Sequence, residues 1–149
     1  MLVLGMMSGT SADGIDVALA RISGAPPKVQ AKLLGNTPVK LPAALRMEIL
    51  RVAEQQPITA GALSQLNFRL GELLASAVLT ACRHFEMSPS KIDLLGSHGQ
   101  TIFHEGRPIP YFGSPTASTL QIGEPSVTRM SCAVTRNLPL ACCTVPVAT

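Results

Sequence analysis

The chain has 149 residues, a formal charge of +3 from twelve Lys+Arg against nine Asp+Glu, four cysteines, no Trp, and only four Phe and one Tyr. Apolar residues at 46% match an ordinary globular protein and charged residues at 14% fall well below the usual ~25%, so one domain, or one lobe of a larger protein, with an aliphatic core is expected. Scattered basic residues without interleaved rings argue against nucleic acid, and the longest apolar run, Leu73 to Cys82, is too short for a bilayer span of ~20 residues.

The opening Met1-Leu2-Val3-Leu4-Gly5 lacks a basic segment or cleavage site, and Cys82, Cys132, Cys142 and Cys143 lack zinc-type spacing. A reducing cytoplasm is the expected location. Met1 to Met7 reads as a strand buried on both faces. Seven small or turn-forming residues, Ser8 to Gly14, separate it from an alternating run at Ile15, Val17 and Leu19. A turn from Gly24 to Pro27 then leads to Val29, Ala31 and Leu33, alternating with Lys28, Gln30 and Lys32. These three strands form a meander whose third member has a polar face.

Helical spacing takes over at Leu41, Leu45, Ile49 and Val52, with Pro42 suited to the first turn. After Pro57, a stripe through Leu63, Leu66, Leu70, Leu73, Leu74, Ala77, Val78, Ala81 and Phe85 predicts a helix from about Thr59 to Glu86, long enough to span a sheet. Ile92 to Ser97 is a short strand running into a turn at His98-Gly99-Gln100-Thr101, and the intervening long helix makes it parallel to the first strand. Gly106 to Pro115 reads as irregular and Ser118 to Ile122 as a strand. A helix starts at Glu124-Pro125 with Val127, Met130 and Val134 buried, and Leu138 to Val145 is a last strand. The class is therefore α/β with a mixed sheet, an order found in ribonuclease-H-like lobes.

Two segments carry candidate chemistry. In the loop from Ser8 to Asp16, glycines permit close approach, hydroxyls donate, and successive backbone N–H groups can form an anion nest. Asp13 and Asp16 repel a bare phosphate but suit one accompanied by Mg²⁺. No Lys follows Gly14, so this is no Walker A loop, and a plain hairpin turn stands beside a phosphate loop as a reading. The second segment, Gly96 to Thr101, ends a predicted parallel strand, where open α/β sheets place ligands; a structural turn is its other reading. His104 and Glu105 lack a third metal ligand at sensible spacing, and Ser8 lacks the nucleophile-elbow pattern of a hydrolase.

Met7-Ser8-Gly9-Thr10-Ser11-Ala12-Asp13-Gly14-Ile15-Asp16, then Gly96 to Ile102 with His104, then Thr119-Leu120-Gln121-Ile122-Gly123-Glu124, together resemble the anhydro-N-acetylmuramic acid kinases. The resemblance covers residues 1 to about 125. It implies a lobe of the actin/hexokinase/Hsp70-like ATPase superfamily, and a kinase that opens the ring of 1,6-anhydro-N-acetylmuramic acid and phosphorylates O6 with ATP and Mg²⁺. By the same resemblance, Gly9, Thr10, Ser11, Ala12, Asp13, Gly14, Ile15 and Asp16 hold the ATP phosphates, with Asp13 and Asp16 toward the metal. His98, Gln100, Thr101, Gln121 and Glu124 lie toward the sugar.

Residues 126–149 depart from the family pattern. Placing Pro139 on the family's proline puts Cys143, Val145 and Ala148 where an Asp, an Arg and the catalytic Asp belong, so no catalytic residue is assigned. The expectation is an N-terminal lobe with a divergent or truncated tail and no second lobe, poorly soluble or self-associating, a homodimer being one form this can take, and inactive alone. The alternative is a noncatalytic phosphate- or sugar-binding module.

Overall fold

The structure, a computed structural model, describes residues 1–131 and 140–142, with side chains through Thr128. Its strands are β1 (Leu2–Ser8), β2 (Gly14–Ala25), β3 (Lys28–Lys40), β4 (Leu94–Tyr111), β5 (Ser114–Ile122) and β6 (Leu140–Cys142). Three α-helices accompany them: α1 (Ala43–Ala53), α2 (Ala60–His84) and α3 (Pro125–Ser131). The sheet order is β3-β2-β1-β4-β5, with β6 on β4. The β1–β2–β3 meander is antiparallel, as expected from its short connections. β4 runs parallel to β1 after the α1–α2 crossover, and β6 runs parallel to β4. The result is the mixed α/β sheet expected.

α2 forms where the stripe predicted it. Thr59 caps it by accepting from the Ala62 amide at 3.2 Å, and Arg83 and His84 fall in its last turn, where cations suit the helix dipole. Leu66, Leu70, Leu74, Ala77, Val78 and Ala81 pack against Leu4, Met6, Ile15, Val17 and Leu95 of the sheet. Each fully buried Leu there contributes on the order of 1.5–3 kcal/mol. α1 adds Ile49 and Val52 to the same core, and Pro42 sits one residue before it as the cap.

Several expectations change. β1 is buried on its core side, and on its other face Val3 is buried while Met7 is 51% exposed, so burial on both faces does not reach the loop end. β3 is exposed on both faces from Lys28 to Leu34, because the β2–β3 hairpin runs past the helices; Leu33 is 63% exposed. The predicted turn at His98 to Thr101 and the first part of the predicted irregular stretch, up to Tyr111, belong to one 18-residue strand, β4. Gly99 makes this continuation feasible by taking φ +67°, and β5 supplies a new antiparallel partner from Gln100 onward. Phe112-Gly113 is the hairpin turn. Beside α3 the fully buried residue is Thr128, with Val127 only half-buried. Its single hydroxyl hydrogen is within reach of both Gly71 O and Glu124 O, at 3.1 and 3.2 Å, which satisfies a buried polar group. Met130, Val134, Cys143, Val145 and Ala148 lie outside the residues whose side chains are described.

Candidate functional site

The β1–β2 loop is shaped by its own backbone and by one methyl group. Ala12 sits in the left-handed region at φ +49°, donates its N–H to Gly9 O at 3.0 Å, and is wholly buried in the core cluster. A non-glycine residue in that region costs roughly 1 kcal/mol and persists only when its surroundings hold it, as the buried Ala12 side chain does here. Ser8 closes the loop base by donating its hydroxyl to Gly14 O at 2.9 Å.

A cavity of about 350 Å³ opens over this loop, lined by Gly9, Ser11, Asp13, Gly14 and Asp16 and by Pro38, Val39 and Lys40 of β3. That volume lies within the range of small-ligand pockets, ~300–1,000 Å³. Thr10, Ala12 and Ile15 are outside the lining, and Ile15 is a core residue at 1% exposure. The two glycines differ in purpose. A Cβ on Gly14 would lie 2.7 Å from Val39 O, so Gly14 serves strand approach, whereas a Cβ on Gly9 would meet only Ser11 Oγ, at 4.0 Å. Asp13 accepts from Arg46 Nε at 3.1 Å, an exposed pair that sequence reading did not foresee.

The second motif meets the first through the β1–β4 pairing, which sets Gln100 beside Ser8. Between Met6 and Ser8, β4 carries one extra residue, and this bulge reverses the alternation of side chains. Gln100 consequently shares the buried side with Ser8, at 1% exposure, and His98 faces the opposite, helix-free side. There an apolar groove of about 390 Å³ is lined by Gly5, Met6, Met7, Asp16, Ala18, Gly96, Ser97 and His98. Asp16 lines both the groove and the loop cavity, so the two share one wall residue. The Gln100 Nε2 donates to Thr101 O at 3.1 Å, while Gln100 Oε1 and His98 Nδ1 are buried without partners.

Thr101 and Gln121 form a cross-strand pair, with Gln121 Nε2 donating to Thr101 Oγ1 at 3.4 Å and also to Thr119 Oγ1. Glu124 is differently placed. Its Oε1 accepts from the Ser126 amide and hydroxyl at 3.1 and 2.6 Å, and its Oε2 from Asn67 Nδ2 at 3.2 Å. The Ser126 hydroxyl, then its amide, hold the Glu124 carboxyl below the usual range, with Asn67 adding to the same effect. Asn67 also accepts from the Gly123 amide at 2.7 Å through Oδ1 and from the Glu124 amide at 3.0 Å through its carbonyl. One turn along α2, Gly71 leaves room for Glu124: a Cβ there would lie 2.7 Å from Glu124 O. Neither Asn67 nor Gly71 carries a sequence signal apart from a small residue within an apolar stripe.

Among the described residues no cluster of three or more His, Cys, Asp or Glu could hold a metal, and no helix is long and apolar enough to cross a membrane. Two carboxylates at the loop cavity are compatible with Mg²⁺, which takes one or two protein carboxylates and otherwise uses water and phosphate oxygens.

A family model described as anhydro-N-acetylmuramic acid kinase matches residues 1–136. Proteins named anhydro-N-acetylmuramic acid kinase are similar over the same region. That of Bacillus cereus strain Q1 is 43% identical over 127 residues, covering 85% of this chain and 32% of the relative. That of Caldanaerobacter subterraneus subsp. tengcongensis is 41% identical over 126 residues, with the same two coverages. The chain thus spans about a third of the length of these relatives. On a match that takes in the loop, the β4 motif and the β5 end together, the chain belongs to the anhydro-N-acetylmuramic acid kinase family.

Proposed function

We propose that this chain carries the phosphate-binding loop and part of the sugar site of an ATP-dependent kinase. That kinase opens the ring of 1,6-anhydro-N-acetylmuramic acid and phosphorylates it at O6 in cell-wall sugar recycling. The observation that carries the reading is the coincidence of the family match with a buried-methyl-anchored loop over a cavity of ligand size. The strand order, a three-strand meander followed by a strand parallel to the first, supports a ribonuclease-H-like lobe of the actin/hexokinase/Hsp70-like ATPases. Residues 1–125 would form that lobe; the family match runs on to residue 136, so a divergent end would begin after it.

Bound ATP with Mg²⁺ would supply the γ-phosphoryl group. Gly9 and Ser11 would present donors to the phosphates, and Asp13 and Asp16 would face the metal. Gln100 Oε1, buried without a partner beside the loop base, would accept a sugar hydroxyl, because an orphaned buried acceptor is costly until a ligand satisfies it. His98, on the other face, would reach the sugar only along the groove it shares with Asp16. Thr101 and Gln121 would orient donors at the strand end, and Glu124 would hold that end in place. These residues bind and orient. Water attack on the anomeric carbon needs a base, typically worth 10²–10⁴-fold, and the position implied for it is Ala148.

Separate titrations with Mg-ATP and with 1,6-anhydro-N-acetylmuramic acid test the reading. Asp13→Ala should weaken nucleotide binding and spare the sugar, and Gln100→Ala should do the reverse. Equal losses of both ligands in both variants would show the two segments to be structural. Product formed by the 149-residue chain from these substrates would show that another group serves as the base.

A further inference from the structure

A loop that receives polyphosphate needs positive charge, and this one has none of its own: Ser8 to Asp16 contains two aspartates and no Lys or Arg. The structure supplies cations from elsewhere. Pairing of β2 with β3 sets Lys40 directly opposite Gly14, and Leu41 N–H donates to Asp13 O at 3.3 Å, which ties the end of β3 to the loop. Lys40 is exposed and lines the loop cavity. Arg46, one turn into α1, is the other nearby cation, but it already pairs with Asp13.

The charge count at the cavity follows. Asp13 is offset by Arg46, leaving Asp16 and Lys40 as the opposed charges of the lining. Lys40 has no hydrogen-bond or ion-pair partner among the described residues, so its ammonium is available at the cavity wall. Gly14 opposes Lys40 in the β2–β3 ladder, so the base of the loop stays beside Lys40 as long as that pairing holds.

We infer that Lys40, from β3, is the polyphosphate-binding cation of the β1–β2 loop, replacing the lysine that the loop itself lacks. The inference rests on the phosphate-loop reading above and adds to it a residue 24 positions beyond Asp16 in the chain. Lys40 is a binding residue in this assignment: its ammonium donates to a non-bridging phosphate oxygen as a point charge. Arg46 is already paired with Asp13 and is not the phosphate cation in this assignment.

Inorganic tripolyphosphate, with and without Mg²⁺, is the probe, since it isolates phosphate contacts from those to adenosine or sugar. Its binding to the purified chain is measured by calorimetry and by amide shifts of Gly9 to Asp16. Lys40→Gln should weaken binding roughly tenfold at low salt, as expected for one charge-assisted contact, and Lys40→Arg should restore most of it. Lys28→Gln, at the far end of the same strand, removes the same net charge and should change binding less than twofold. Equal weakening by Lys28→Gln and Lys40→Gln, or unchanged binding in Lys40→Gln while the unsubstituted chain binds, would overturn the assignment and leave the loop reading standing. No binding by the folded, unsubstituted chain would overturn both.

Discussion

The two halves of the candidate site are built on opposite plans. The β1–β2 loop is an exposed polar cradle held by the buried Ala12 methyl, the Ser8 hydroxyl and the Leu41 amide, and its charged pair Asp13–Arg46 lies in solvent with side chains 71% and 41% exposed. The β4–β5 base is a packed joint. Gly99 and Gly123 approach each other so that a Cβ on Gly123 would lie 3.5 Å from Gly99 Cα, and Asn67 and Gly71 of α2 clamp the chain that follows. The difference teaches where stability and ligand access reside: the loop offers exposed polar groups to a ligand, while the base fixes the strand end that orients Gln100.

Substitutions at the base should therefore cost folding, and substitutions at the loop should not. Gly99→Val should have the largest effect. It places a β-branched residue at φ +67° with its Cβ 2.4 Å from Ile122 O, and should destabilise by at least about 3 kcal/mol in denaturant unfolding. A loss below about 1 kcal/mol would mean that the bulge is loose and that the contrast fails at its centre. Asn67→Ala should cost about 1–3 kcal/mol, because it leaves the Gly123 amide without its acceptor. The same variant should speed amide exchange at Gly123 more than at Ala12, which a global loss of stability would not do.

The pH response should come from the base as well. Because Ser126 holds the Glu124 carboxyl below its ordinary value, the folded state binds that proton less tightly than the unfolded chain. The stabilisation is therefore complete above the unfolded Glu value and is lost as pH falls through the depressed folded one. Carboxyl NMR titration should place the Glu124 midpoint below that of a free Glu, and Ser126→Ala should raise it. An unshifted midpoint in the unsubstituted protein would show that the Ser126 cap does not persist in solution. The smallest stability effect should be at the loop: Asp13→Ala removes an exposed ion pair and should change unfolding free energy by less than about 1 kcal/mol. A larger loss would make the loop a structural element and remove the contrast with the base.

Local periodicity was enough to define most elements before any coordinates. The stripe of leucines along α2, the alternation in β2 and the run of small residues at the loop each express one local rule, a 3.6-residue repeat, a two-residue repeat or a turn. The three motifs that carry the family resemblance are contiguous, so they too were legible. What the sequence hid was nonlocal. That β4 passes through His98–Thr101 instead of turning depends on β5 pairing with it, and the reversal that sends Gln100 and His98 to opposite faces depends on one extra residue relative to β1.

The composition, helix periods and motif residues, then, were determined by the sequence alone, because each depends on neighbours within a turn or a strand. The placement of Lys40 against the loop, of Arg46 on Asp13, and of Asn67 and Gly71 on the Gly123–Glu124 segment was decided only by tertiary structure. These contacts join residues 20 to 60 positions apart through strand register and helix packing, and no local propensity encodes a partner at that separation.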